Sequence, residues 1–165
     1  MQFDTSKYLQ YINTQSFGNN ILYLKETQST NDAMWNKIND DNHIIVVTDN
    51  QTNGRGRREN KWFSMESKSL TCSIGIVDKD KKTNLLPLIA SLATCESIAK
   101  ISSINTKIKW PNDIIIDKKK IAGILIESKI NKSKIIFNIG IGINVNLDEN
   151  DIKNSSLREI SSMLV

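Results

Sequence analysis

Apolar positions along this chain change period several times, and each change marks an element. Ile21-Leu22-Tyr23-Leu24 is an apolar run of strand length, followed by the polar stretch Gln28-Ser29-Thr30-Asn31-Asp32. Ser29 or Thr30 can cap a helix there, with Ala33, Met34, Trp35 and Ile38 as its apolar positions. His43 to Thr48 is largely β-branched and reads as a buried strand that delivers the chain into a loop rich in glycine and arginine. Beyond the loop, Leu70, Cys72, Ile74 and Ile76 alternate with Thr71, Ser73 and Gly75, the period of a strand with one buried face. Asn84 to Ile101 carries Leu85, Leu88, Leu92, Cys95 and Ala99 at helical spacing, which predicts a helix packed on the sheet through that stripe.

Four further strands are expected at Lys107 to Trp110, Ile114 to Asp117, Ile121 to Glu127 and Ile135 to Val145. Lys118-Lys119-Lys120 and Ile130 to Ser133 read as hairpin turns between them. A last helix is expected to begin at Ser155 or Ser156 with Leu157, Ile160 and Leu164 on one face. These elements make an α+β protein, a mixed β-sheet of six or seven strands with helices packed on one side.

Composition narrows this picture only a little. A length of 165 residues suits one domain, with both ends looser than the centre. The first twenty residues lack the basic start and apolar block of a secretory signal, and Leu85 to Ala93 is too short to span a bilayer, so a cytoplasmic location is expected. Cys72 and Cys95 lack the spacing of a zinc or redox pair and read as buried free thiols. His43 is the only histidine and has no visible catalytic partner.

Charge changes the picture more. Arg55, Arg57, Arg58 and Lys61 face one carboxylate, Glu59, so seven residues hold an excess of three positive charges in a chain whose total is +4. Gly54 and Gly56 alternate with the arginines, leaving backbone amides unshielded between guanidinium groups that can meet phosphate oxygens in pairs. The loop is neither a P-loop nor a dinucleotide fingerprint. Taken alone it suits a bound nucleotide and a flexible basic hairpin touching RNA equally well.

Three other segments carry candidate chemistry. In Lys109-Trp110-Pro111-Asn112-Asp113 the proline ends a strand and fixes two short polar side chains beside an aromatic, either an ordinary turn or a ribose, base or metal contact. Strand alternation places Lys120 with Ala122, Ile124 and Ile126, as a snorkelling strand-end lysine or an anion ligand beside the bare Gly123. Gly140 and Gly142 lie two apart with Asn144 continuing their face, which marks either packing or close approach of a ligand.

In this order, Ser29-Thr30-Asn31, Gln51, Gly54-Arg55-Gly56-Arg57-Arg58, Lys61-Trp62-Phe63-Ser64, Lys109 to Asp113, Lys120 to Glu127 and Gly140 to Asn144 resemble the catalytic domain of biotin protein ligases. The resemblance covers roughly residues 20 to 165 by the usual uncertainty of sequence boundaries. It implies a fold like that of class II aminoacyl-tRNA synthetases and an ATP-dependent attachment of biotin, through biotinyl-5′-AMP, to a lysine of a biotin carboxyl carrier protein. It assigns biotin binding to Ser29, Thr30, Asn31, Gln51, Gly54, Arg55, Gly56, Arg57, Trp62, Lys120, Gly123, Gly140 and Gly142. ATP would meet Arg55, Arg57, Arg58, Trp62, Asn112, Asp113, Lys120 and Asn144, with Mg²⁺ near Asn112 or Asn144. Arg57 and Lys120 would carry catalysis.

The chain departs from the family pattern where Glu59 and Asn60 replace a glycine and an arginine of the loop. It reads as a single catalytic domain, 1–165, lacking the C-terminal part and with no N-terminal DNA-binding domain, so no DNA or membrane partner is implied. A monomer or weak homodimer is expected. Two alternatives stand beside this: a truncated biotin-binding domain without full turnover, and a lipoate ligase. The glycine-rich Arg-Arg-x-x-Gly-Gly-Gly-x-x-x-His segment usual in the latter is missing.

Overall fold

A computed structural model of the chain describes residues 2–14, 17–39, 42–78, 85–131, 134–154, 160, 162 and 163. Seven strands form one sheet: β1 (Ile21–Thr27), β2 (Ile44–Gln51), β3 (Ser69–Asp78), β4 (Lys107–Lys109), β5 (Asp113–Ile116), β6 (Lys119–Asn131) and β7 (Lys134–Asn144). Their spatial order is β1-β2-β3-β7-β6-β5-β4. β1 runs parallel to β2 and every other neighbouring pair is antiparallel, so the sheet is mixed as expected. The β6–β7 ladder extends to Asn131 opposite Lys134; 132 and 133, within the expected turn, lie outside the described residues.

The helices divide between the two faces of the sheet instead of lying on one side. α2 (Thr30–Lys37) covers the face that carries Ser73, Gly75 and Gly140: a Cβ on Gly75 would meet Met34 Sδ at 2.6 Å, and one on Gly140 would meet Asn31 Oδ1 at 2.3 Å. α3 (Leu86–Ser102) covers the other face, where Leu86, Ala90 and Ile98 join Ile114, Ile121, Ala122, Ile124, Ile139 and Ile143 in the main core. The two-faced burial follows from β3. Its small polar side, Thr71, Ser73 and Gly75, is the more deeply buried one, because small side chains let a helix come close and their hydroxyls find partners there.

α3 turns a different stripe inward from the one its leucines predict. Leu86, Ala90, Ser91, Thr94 and Ile98 are buried, while Leu85, Leu88 and Leu92 are exposed. Burial of Ser91 and Thr94 leaves no polar atom wanting, since their hydroxyls donate to Pro87 O and Ala90 O, both at 2.8 Å.

The N-terminal segment, expected to be loose, contains α1 (Thr5–Tyr11), capped by Asp4, whose carboxylate accepts from Lys7 N at 2.9 Å. Phe3 joins it to the sheet by stacking on Tyr23, ring centroids 5.8 Å apart. The helix predicted from Ser155 or Ser156 falls almost wholly outside the described residues. A shorter one, α4 (Glu149–Asn154), precedes it, with Asp148 Oδ1 accepting from Asn150 N and Asp151 N. Cys72 and Cys95 are free, and burial pushes the Cys72 thiol up to about 12, which keeps it inert. His43 accepts from Val77 N at 3.2 Å and stacks on Phe17, a structural part.

Candidate active site

Segments far apart in sequence enclose one cavity of about 330 Å³: the start of α2, Gln51 with the arginine loop, Thr71 and Cys72 of β3, the β4–β5 turn, the start of β6, and Gly140 to Gly142 of β7. At one end the lining is neutral and rich in hydrogen-bonding groups. Gln51 Oε1 accepts from Thr30 N at 2.7 Å and from Thr30 Oγ1 at 3.0 Å, so Gln51, and not Ser29 or Thr30, caps α2. Ser29 makes no capping bond although it occupies the N-cap position, and it lines the cavity. Ser73 Oγ lies 2.5 Å from Asn31 Oδ1 and 2.8 Å from Thr30 Oγ1, and Asn138 Nδ2 donates to Asn31 O at 3.0 Å. Ser73 and Asn138 escape a reading of the sequence because a polar residue in a strand reads as solvent-facing; the small side of β3 was the available signal.

The glycines form the floor. Gly140 lies beneath Asn31, and a Cβ on Gly142 would fall 2.2 Å from Trp62 Cε2, so the indole rests directly on the strand. Gly123, opposite Gly142 on β6, completes the seat: its Cβ would meet Trp62 Cζ3 at 3.1 Å and Lys120 Nζ at 2.9 Å. What lies close over these glycines is protein, the side chains of Asn31, Trp62 and Lys120, so they serve packing here. Trp62 Nε1 is buried without a hydrogen-bond partner, a cost of about 1–3 kcal/mol unless a ligand acceptor meets it.

At the other end the lining is charged. Lys120 Nζ pairs with Asp113 Oδ1 at 2.7 Å and sits 5.6 Å from the Trp62 ring centroid. Alternation alone put Lys120 on the side of Ala122 and Ile124, and a β-bulge corrects this. Ile114 pairs with Ala122 but Ile115 pairs with Lys120, so Ile121 is an extra residue that turns Lys120 to the side of Gly123. Arg57 Nη1 donates to Asn112 Oδ1 at 2.9 Å, bringing the loop to the β4–β5 turn. Trp110 takes no part: it is 72% exposed, and the aromatic wall of the cavity is Trp62. Asn144, expected to face the nucleotide, is buried at the end of β7 and does not line the cavity.

The arginine loop is a closed hairpin. Trp62 N donates to Gly54 O at 2.9 Å, Gly56 N to Asn60 O at 2.7 Å and Asn60 N to Arg57 O at 3.1 Å. Gly54 is needed where it stands, since a Cβ there would meet Trp62 O at 2.5 Å. At the tip Arg58 and Glu59 have φ of +54° and +64°, and Glu59 holds the position where the family pattern has glycine. Glu59→Gly is therefore expected to raise stability by up to about 1 kcal/mol, the left-handed strain relieved less the entropy of a glycine in the unfolded chain. Thermal unfolding of the two proteins side by side reads this directly.

Arg55, Gly56, Arg57, Arg58, Asn60 and Lys61 all border the cavity, but Arg55 is already engaged by carboxylates, Nη1 to Glu127 Oε1 and Nη2 to Asp32 Oδ1, both at 2.8 Å. The hydrogen bond it donates to Glu127 is the main cause of its raised pKa. Among the described residues no group of three or more His, Cys, Asp or Glu is placed to hold a metal ion.

Residues 23–146 match the model of the Biotin/lipoate A/B protein ligase family. The Bifunctional ligase/repressor BirA of Bacillus subtilis is 38% identical over 160 residues, covering 93% of this chain and 48% of that protein. The Biotin--protein ligase of Homo sapiens is 31% identical over 154 residues, 87% of this chain and 21% of that one. Among solved structures, biotin protein ligase from Aquifex aeolicus in complex with biotin and ATP superposes with a TM-score of 0.70 at 33% identity, over 88% of this chain and 60% of its own. The Leishmania major enzyme in complex with biotinyl-5-AMP gives 0.69 at 29% identity, over 89% and 64%. The chain thus spans about half the length of the bacterial relative it matches, and with a family match over most of its residues it belongs to the biotin/lipoate A/B protein ligase family.

Proposed function

We propose that this chain joins biotin to ATP, holds biotinyl-5′-AMP in the cavity and passes the biotinyl group to a lysine of a biotin carboxyl carrier protein. The polarity of the cavity carries this reading. Gly140 and Gly142 are two residues apart, about 7 Å along the strand, and over that span the lining changes from Ser29, Thr30, Asn31 and Gln51 to Trp62, Lys120 and Arg57. An uncharged ureido ring with paired donors and acceptors suits the first end. A flexible carbon chain suits the glycine floor beneath the indole, and a carboxylate next to a triphosphate suits the second end.

In the first step a biotin carboxylate oxygen forms a bond to the α-phosphorus of ATP as the bond to the pyrophosphate oxygen breaks. Two anions must be brought together, so the useful groups are cations placed before the reaction begins. Lys120, held between Asp113 and the Trp62 ring, and Arg57, held by Asn112, are such groups. No proton has to move in this step, and the site needs neither a nucleophile nor a histidine. Asn112 and Asp113 are oxygen donors fit for a Mg²⁺ that arrives with the phosphates, as Mg²⁺ usually does, where it would supply further charge neutralisation. In the second step the neutral amine of the acceptor lysine forms a bond to the biotinyl carbonyl carbon, the bond from that carbon to the phosphate oxygen breaks, AMP leaves, and the amine's extra proton goes to water.

Calorimetry with biotin and with lipoate tests the substrate. Saturable binding of biotin at least tenfold tighter than lipoate is expected, and equal or reversed preference would assign the site to the other branch of the family. Mass spectrometry of a carrier domain incubated with the chain, biotin and ATP then tests the transfer.

A further inference from the structure

Arg55 sits in the loop that borders the cavity, yet its guanidinium is spent on the protein. Nη1 donates to Glu127 Oε1 at 2.8 Å, and Nη2 donates to Glu127 Oε2 at 3.2 Å and to Asp32 Oδ1 at 2.8 Å. Glu127 is held from a second side by Trp35 Nε1, which donates to Oε2 at 3.0 Å. Trp35 in turn lies under Lys129, whose Nζ is 4.2 Å from the ring centroid. One ion cluster thus joins the loop to β6 through Glu127 and to α2 through Asp32 and Trp35, in the helix that opens with the cavity residues Thr30 and Asn31.

The loop's backbone hydrogen bonds from Gly54 to Trp62 are internal to its hairpin, and Arg57 to Asn112 is a single neutral-acceptor contact. The Arg55 cluster is the charged, forked contact, of the kind roughly twice as strong as a neutral bond. An isolated surface pair would contribute little, but this one is bidentate, networked and built on a Glu127 side chain only 28% exposed.

We propose that Glu127 and Asp32 are positioning residues that hold the arginine loop closed over the cavity through Arg55, and so set how long an acyl-adenylate stays bound. The residence-time part rests on the adenylate reading above; the closed loop does not. Burial alone would raise the Glu127 pKa, but the hydrogen bonds from Trp35 and Arg55, with the charges of Arg55 and Lys129, outweigh it and bring the group below its ordinary value. The clamp is therefore intact at neutral pH and lost as pH falls through that lowered value, when Glu127 takes up a proton.

Trypsin reads the loop directly, since Arg55, Arg57, Arg58 and Lys61 are its cleavage sites. Glu127→Gln keeps an acceptor for Trp35 and removes the charge; Asp32→Asn, at a half-exposed side chain, leaves the core untouched. With the whole chain and no ligand, cleavage between 55 and 61 is expected to rise about tenfold in Glu127→Gln and severalfold in Asp32→Asn. Glu26→Gln, a carboxylate on β1 bonded to Asn50, controls for the loss of one charge and is expected to match the parent. A second arm measures dissociation of biotinyl-AMP, expected to be about tenfold faster in Glu127→Gln with an unchanged melting temperature. Loop cleavage at the parental rate in both loop variants would overturn the clamp. Faster cleavage of the two variants, with a parent that forms no biotinyl-AMP, would leave the clamp standing and remove the adenylate reading instead.

Discussion

Replacing Lys120 by alanine is expected to slow formation of biotinyl-AMP by roughly a hundred- to a thousandfold, the usual effect of removing one preorganised charge at a centre where charge develops. Three features of the structure make this lysine matter more than the exposed ones beside it. The bulge at Ile121 turns it to the cavity, Asp113 holds its Nζ at 2.7 Å, and the Trp62 face limits where it can swing. Biotin affinity should fall by less than the rate, because the neutral hydrogen-bonding groups at the Gly140 end are untouched. Single-turnover kinetics separates the two quantities; a variant that loses affinity while its rate stays parental would move Lys120 from catalysis to simple substrate binding.

Gly142→Ala is expected to weaken biotin binding by about 30- to 150-fold, corresponding to the roughly 2–3 kcal/mol of an overpacked contact. The added methyl would lie 2.2 Å from Cε2, 2.4 Å from Cζ2 and 2.6 Å from Nε1 of Trp62, so the indole has to leave its seat. The strand itself has no reason to move, held by β3 on one side and β6 on the other. Tryptophan emission reports the displacement before any ligand is added, because an indole leaving a half-buried seat meets water. Parental emission with parental affinity would mean that the glycine floor has slack that the structure does not show.

The seven strands were legible in the sequence because β-branched runs and period-two alternation leave few other readings, whereas the glycine pairs and the arginine loop, by residue type alone, left a site and an ordinary packing or loop role open. What alternation could not show is where its count breaks. One extra residue, Ile121, reversed the side on which Lys120 lies, the smallest irregularity a ladder can have and one with no mark in the sequence. The buried stripe of α3 was misread for a different reason. Ser91 and Thr94 bond to their own helix and can go inside, so the leucine stripe was not the one buried.

Long-range polar partners were the other hidden part. Ser73 and Asn138 look like solvent-facing strand residues until α2 is placed over them, and Asp32 and Glu127 carry no sign in sequence of a common partner in Arg55. The family resemblance supplied the order of the segments, and packing explains why they need that order. Asn31 rests on Gly140, Trp62 on Gly142 and Gly123, and Lys120 beside Gly123, so three of the groups that line the cavity each sit on or beside a glycine.

Incubation of the chain with biotin, Mg²⁺ and ATP labelled in its α-phosphate, followed by separation of the nucleotide products, tests whether it forms an acyl-adenylate of biotin. Labelled biotinyl-5′-AMP is expected that stays with the protein, depends on biotin, and is nearly abolished by Lys120→Ala. Formation of no such species, or equal yield when lipoate replaces biotin, would contradict it.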